Sequence, residues 1–114
     1  MKKPLAPLAA VAFAAMFGLC GPVRADETGI AAIHTWVKYG RKICFQDHYH
    51  DGSGTGATRS QAQRAAIKSW ATFTSWEYGT VWGNYALAMR KGMACSGSPG
   101  NWSCSTQAIP CRAR

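Results

Sequence analysis

The sequence predicts an α+β domain: one helix packed on a small antiparallel sheet, in the order strand, helix, hairpin, with two disulfides. Three observations predict it. Residues 42–50 alternate in side-chain character as a strand does. Residues 58–78 place apolar side chains at helical spacing behind a capping signature. Residues 93–104 form two runs around Pro99-Gly100, a strong turn dipeptide. A helix laid across a small sheet buries both apolar faces at once.

The domain is expected to follow a leader. Lys2 and Lys3 precede an apolar run from Leu5 to Leu19, Gly21-Pro22 breaks any helix, and Val23-Arg24-Ala25 offers a cleavage point before Asp26-Glu27. This is the pattern of a secretory signal peptide over residues 1–25. The run is short for a membrane anchor, and Leu19 before Cys20 is bulky where lipoprotein processing wants a small residue. No transmembrane segment is expected in the mature chain. Cleavage removes Cys20 and leaves Cys44, Cys95, Cys104 and Cys111, an even set expected to form two disulfides in an oxidising periplasmic or secreted setting. A zinc site would favour C-x-x-C knuckles, which the sequence lacks.

Cleavage also removes Lys2, Lys3 and Arg24 and no acid, which leaves ten basic side chains against five acidic ones and lowers the net charge from +8 to +5. The remaining excess favours anionic neighbours such as lipid head groups, acidic glycans or nucleic acid. With 114 residues, 47 % hydrophobic and 16 % charged, the chain is one small domain and too apolar for a disordered tail.

Each element has its own local reason. Residues 26–41 fit a helix (Ile30, Ile33, His34, Val37) as well as a strand (Ile33, Thr35, Val37, Tyr39), and Gly40 ends either. In the strand 42–50, Ile43, Phe45 and Tyr49 share one face with Asp47, and Lys42, Cys44, Gln46, His48 and His50 share the other. Three glycines within Asp51–Gly56 predict a loop. Thr58 caps the helix with Gln61 three residues on, and Ala62, Ala66, Trp70 and Phe73 form its core stripe, with Gly79 as the stop. Residues 80–90 fit a strand and a helical turn about equally. A turn on Pro99-Gly100 sets Ser98 opposite Asn101 and Cys95 opposite Cys104 in a narrow pair. The second bridge is then Cys44–Cys111, which requires the first and last strands to be antiparallel neighbours, with Pro110 at the end of the last. The domain proper spans 42–114.

The stretch Ser53–Arg112 resembles a group of short, exported Gram-negative bacterial proteins. The matching residues are Ser-Gly-Thr-Gly-Ala-Thr-Arg at 53–59, Ala62, Ala66, Trp70, Tyr78-Gly79, Trp82, Cys95, Trp102-Ser-Cys104 and Ala108-Ile-Pro-Cys-Arg112. The resemblance implies an envelope or periplasmic setting and carries no activity with it.

Four groups of residues could carry chemistry. His48, His50 and Asp51 combine two imidazoles with a carboxylate, a ligand set for zinc or copper. The glycine segment before the helix could cradle an anion on backbone amides, although the rest of a dinucleotide-binding unit is missing. His34, His48 or His50 with Arg41 or Lys42 could serve a small ribonuclease-like hydrolase. Trp82, Trp102 and Arg59 could form a stacking surface beside a cation. The balance favours an exported, non-catalytic binding or structural module for an anionic or aromatic-stacking partner, with no cofactor. Such a surface would expose at least two tryptophans, whereas an enzyme would join two histidines and a basic residue in a pocket.

Export gives the first testable prediction. The intact mass of the protein from its native host should correspond to a chain starting at Asp26; a mass retaining Met1, or lipid on Cys20, contradicts the leader reading.

Overall fold

The computed structural model describes Lys2 and residues 26–114. The expected leader, apart from Lys2, and its cleavage point at Ala25 lie outside the described residues. The elements in order are α1 (Gly29–Ala32), β1 (Trp36–Tyr39), β2 (Lys42–Phe45), β3 (His50–Gly56), α2 (Arg59–Tyr78), a 3-10 turn (Thr80–Trp82), β4 (Met89–Ser98), β5 (Asn101–Ile109) and β6 (Cys111–Ala113). The fold is α+β, with α2 as the main helix. The strands form two antiparallel three-stranded sheets, ordered β1-β2-β6 and β3-β5-β4.

The expected strand 42–50 and the expected last strand are each divided between these sheets. β2 pairs with β6 and β3 pairs with β5, but the register changes between them. From Cys44 to His50 there are six residue steps, and they stand opposite only three, from Cys111 to Ala108. Residues 46–49 are extruded by this mismatch, and Asp47 takes a positive φ of 49°. The single strand face expected to hold His48 and His50 therefore does not exist. Residues 26–41, ambiguous in sequence, form a helical turn followed by a strand, and residues 80–90 form a 3-10 turn leading irregularly into β4.

The expected glycine loop is a strand. Alternate residues His50, Gly52, Gly54 and Gly56 face α2. A Cβ placed on Gly52 would lie 2.5 Å from the backbone nitrogen of Trp70, one on Gly54 2.5 Å from that of Ala66, and one on Gly56 2.8 Å from that of Ala62. No real Cβ tolerates such distances. Two strand steps advance about 6.7 Å and four helix residues about 6 Å, so a glycine every second residue tracks a helical position every fourth. Glycine content alone predicts a loop here. In the fold, the missing side chains let two backbones touch.

The capping box at the start of α2 is formed. The Thr58 hydroxyl accepts from the Gln61 amide at 3.1 Å, and the Gln61 side chain accepts from the Thr58 amide at 3.3 Å. The buried stripe is Ala62, Ala66, Trp70, Thr74 and Tyr78, each four residues from the last. Phe73, expected on this stripe, is instead 49 % exposed. Thr74 replaces it because its hydroxyl has a buried partner in His50 at 3.0 Å. Trp70 is fully buried and its indole N–H donates to the Ala108 carbonyl at 3.3 Å.

Both disulfides, Cys44–Cys111 and Cys95–Cys104, join register partners of adjacent strands, with Cα–Cα distances of 4.0 and 4.1 Å. Such short separations mark the narrow, non-hydrogen-bonded pairs of an antiparallel ladder. Ser98 faces Asn101 as expected, and Gly100 takes the positive φ of 85° that the second turn position after proline requires. Around Cys44–Cys111 lies the largest apolar cluster, with Phe45, Tyr78, Trp82 and Ile109.

The close approach predicts that Gly54→Ala destabilises the fold by about 3 kcal/mol or more, the upper range for overpacking against unyielding backbone. Gly92→Ala is the control, because a Cβ there meets nothing within 4 Å. Urea denaturation of the two variants checks this; equal effects contradict the packing.

Candidate functional site

All three histidines of the chain meet around Tyr78. The extrusion of residues 46–49 turns His48 toward α2, β3 places His50 on its helix-facing side, and His34 follows α1. The His34 and His48 rings lie 4.6 Å apart, His48 and His50 5.8 Å, and His34 and Tyr78 5.2 Å. The Tyr78 hydroxyl contacts His48 Nε2 at 2.6 Å and His50 Nε2 at 3.1 Å. His50 Nε2 also reaches Glu77 Oε2 at 3.2 Å, and its Nδ1 reaches the Thr74 hydroxyl. His34 Nδ1 lies 2.9 Å from the Ile30 carbonyl, which can only accept, so that nitrogen carries the proton.

These contacts are satisfied when both His48 and His50 are neutral. Burial lowers the pKa of His50 and outweighs the attraction of Glu77; for His48, burial and the neighbouring His34 lower it together. The Tyr78 hydroxyl is pushed up to about 12, first by burial and then by Glu77, so it stays protonated as a donor to His48. The result is a hydrogen-bonded chain Glu77–His50–Tyr78–His48. It ties α2, β3 and the extruded segment together and could pass a proton among them.

The other expected site residues are placed as follows. Asp51 lies on the opposite face of β3 from His50, so His48, His50 and Asp51 do not converge; among the described residues no three His, Cys, Asp or Glu side chains gather as a metal site. Lys42 is turned away from the histidines and donates to the Leu87 carbonyl at 2.9 Å. Arg59 and Trp102 are brought together, with the guanidinium 5.9 Å from the ring centre. Trp82 is fully buried, stacked on Phe45 at 4.2 Å, and donates to Glu27 at 3.1 Å, so its ring is closed to a partner. The tryptophans that do face solvent are Trp76, 79 % exposed, and Trp36, 36 % exposed. The glycines face helix backbone, which leaves no open cradle for an anion.

Comparison of the chain with protein-family models, curated proteins and solved structures returns no match.

Sequence reasoning passed over Glu77 and Tyr78 as site residues. The signal for Tyr78 was present, since it continues the four-residue spacing of Ala62, Ala66 and Trp70. It also passed over a charge feature that only the register reveals. β1, β2 and β6 gather Lys38, Arg41, Lys42, Arg112 and Arg114 at one end of the first sheet. Lys38 and Arg112 flank Ile43 in one cross-strand row, and the Arg114 amide bonds the Arg41 carbonyl at 3.0 Å. Glu27, which pairs with Arg112, is the one acidic side chain ion-paired to this group among the described residues. Trp36 and Tyr39 are exposed on the same hairpin.

The lowered histidines fix a pH dependence. An unfolded histidine titrates near 6.5 and these two titrate lower when folded, so their stabilising effect is complete above that value and is lost as pH falls from 6.5 toward the folded values. The thermal midpoint should drop between about pH 7 and about pH 5, and His48→Gln should flatten the drop. An unchanged slope in that variant contradicts the role given to His48.

Proposed function

We propose that the protein is an exported, non-catalytic binding module of the Gram-negative envelope that engages an anionic partner through the basic end of its first sheet. The carrying observation is that five of the ten cationic side chains in residues 26–114 collect where β1, β2 and β6 end, with one acid paired among them. Clustered cations raise the local concentration of anions and speed their association. Exposed Trp36 and Tyr39 on the same hairpin add flat faces for stacking. Two disulfides in a small α+β domain are consistent with an extracellular protein, and the resemblance of Ser53–Arg112 to exported Gram-negative proteins supports the periplasm.

One observation favours a second reading, a small hydrolase: the meeting of His34, His48 and His50. Against it, His48 and His50 hold Tyr78, Thr74 and Glu77, and no basic side chain contacts them among the described residues. A metal on His48 and His50 would have to break the same bonds.

Heparin serves as a soluble polyanion for the test. Lys38→Glu with Arg41→Glu should weaken binding at least about tenfold, or about 1.4 kcal/mol. Arg64→Glu with Lys68→Glu, the same charge change on the solvent side of α2, should change it by less than about threefold. Equal losses in both pairs would reduce the effect to net charge and refute a localised site.

A further inference from the structure

We propose that the outer face of the second sheet, beside α2, is a binding groove for a neutral oligosaccharide. An open concavity of about 700 Å³ lies there, lined by Asp51, Ser53, Ser69, Phe73, Ser105 and Gln107 among others. That volume falls within the usual range of ligand sites. The register builds it in two cross-strand rows: Asp51, Gln107 and Gly92 form one, and Ser53, Ser105 and Ala94 the next. β4 contributes only a glycine and an alanine to these rows. A Cβ at Gly92 would meet nothing within 4 Å, so the floor is open on that side.

Phe73 is the aromatic side chain of the lining. Phe73 stands between His50, stacked at 4.9 Å, and Trp76, stacked at 6.4 Å. His50 is buried and held by Thr74 and Tyr78, which anchors the stack at its inner end. Trp76, 79 % exposed, presents its outer end to solvent. The Ser69 hydroxyl accepts from the Ser53 amide at 3.2 Å and fixes α2 against the free edge of β3.

This lining selects a class of ligand. Hydroxyls and an amide both donate and accept, as a sugar's hydroxyls require. Aromatic faces carry negative charge density and attract the weakly positive C–H faces of a pyranose ring. Asp51 repels anions, and among the described residues no lysine or arginine lines the groove. The ligand is therefore an uncharged sugar chain, a different class from the anion expected at the basic end of the first sheet. The inference does not depend on that anionic reading.

The test is an amide NMR titration with chitotetraose and with cellotetraose, using heparin as the anionic control. With at least one tetrasaccharide, the Asp51, Ser105 and Gln107 amides and the Trp76 indole N–H should shift and saturate. Phe73→Ala should weaken binding at least about tenfold. Gln107→Ala, an exposed change on the outer face that leaves the core untouched, should weaken it about threefold or more. Lys38→Glu with Arg41→Glu should leave sugar binding unchanged. Absence of groove shifts with both sugars at about 10 mM, shifts confined to the first sheet, or full binding by a folded Gln107→Ala protein would each overturn the proposal.

Discussion

The backbone contact between β3 and α2 is the constraint on which the rest depends. Gly52, Gly54 and Gly56 bring the strand so close that the helix rests on peptide units rather than side chains. Around that contact the core is thin, made of Ala62, Ala66 and Cys104. The bulky rings lie farther along α2, where Trp70 packs on Ala108 and Tyr78 packs with Phe45 and Trp82. A domain of this size gains little from burial alone, and three strand glycines each cost about 0.5–1 kcal/mol in chain entropy. Gly54 pairs with Cys104, which is bridged to Cys95 on the next strand. Closing that short loop contributes about 2.7 kcal/mol in the chain-entropy account, comparable to the combined cost of the three glycines.

The same approach positions the chemistry. With β3 seated on α2, His50 is pressed against Thr74, Glu77 and Tyr78, and burial lowers its pKa. Residues 46–49, before β3, have no register partners in β5 or β6 and carry His48 to the same tyrosine. Cys44–Cys111 then pins the first sheet next to this junction, and β6 brings Arg112 and Arg114 to the β1–β2 turn. The outer groove depends on this seating as well, because Phe73 reaches it only by lying at the β3 edge of the helix.

Much of this was legible in the sequence, for identifiable reasons. Thr58 with Gln61, the Ala62–Ala66–Trp70 spacing and Pro99-Gly100 are local signals, and their consequences are local too: a capped helix, a buried face and a hairpin register that pairs Cys95 with Cys104. Cys44–Cys111 followed from strand order once that hairpin was set. What stayed hidden was tertiary. Glycine at every second position reads as flexibility unless its helix partner is known. Thr74, not Phe73, completes the buried stripe because of its partner His50, which is 24 residues away in sequence. Trp82, expected at a surface, is closed in by Phe45 and Glu27 from separate elements. The basic end of the first sheet exists only through the pairing of β6 with β2, which no local pattern announces.

The central claim is a distance between two backbones, and a nuclear Overhauser spectrum of the oxidised protein measures it directly. Strong cross-peaks are expected from the α-protons of Gly52 to the Trp70 amide, of Gly54 to the Ala66 amide and of Gly56 to the Ala62 amide, in that order along the two elements. If these glycine α-protons instead show only sequential and cross-strand peaks, with none to α2, the segment is not seated on the helix and the account fails.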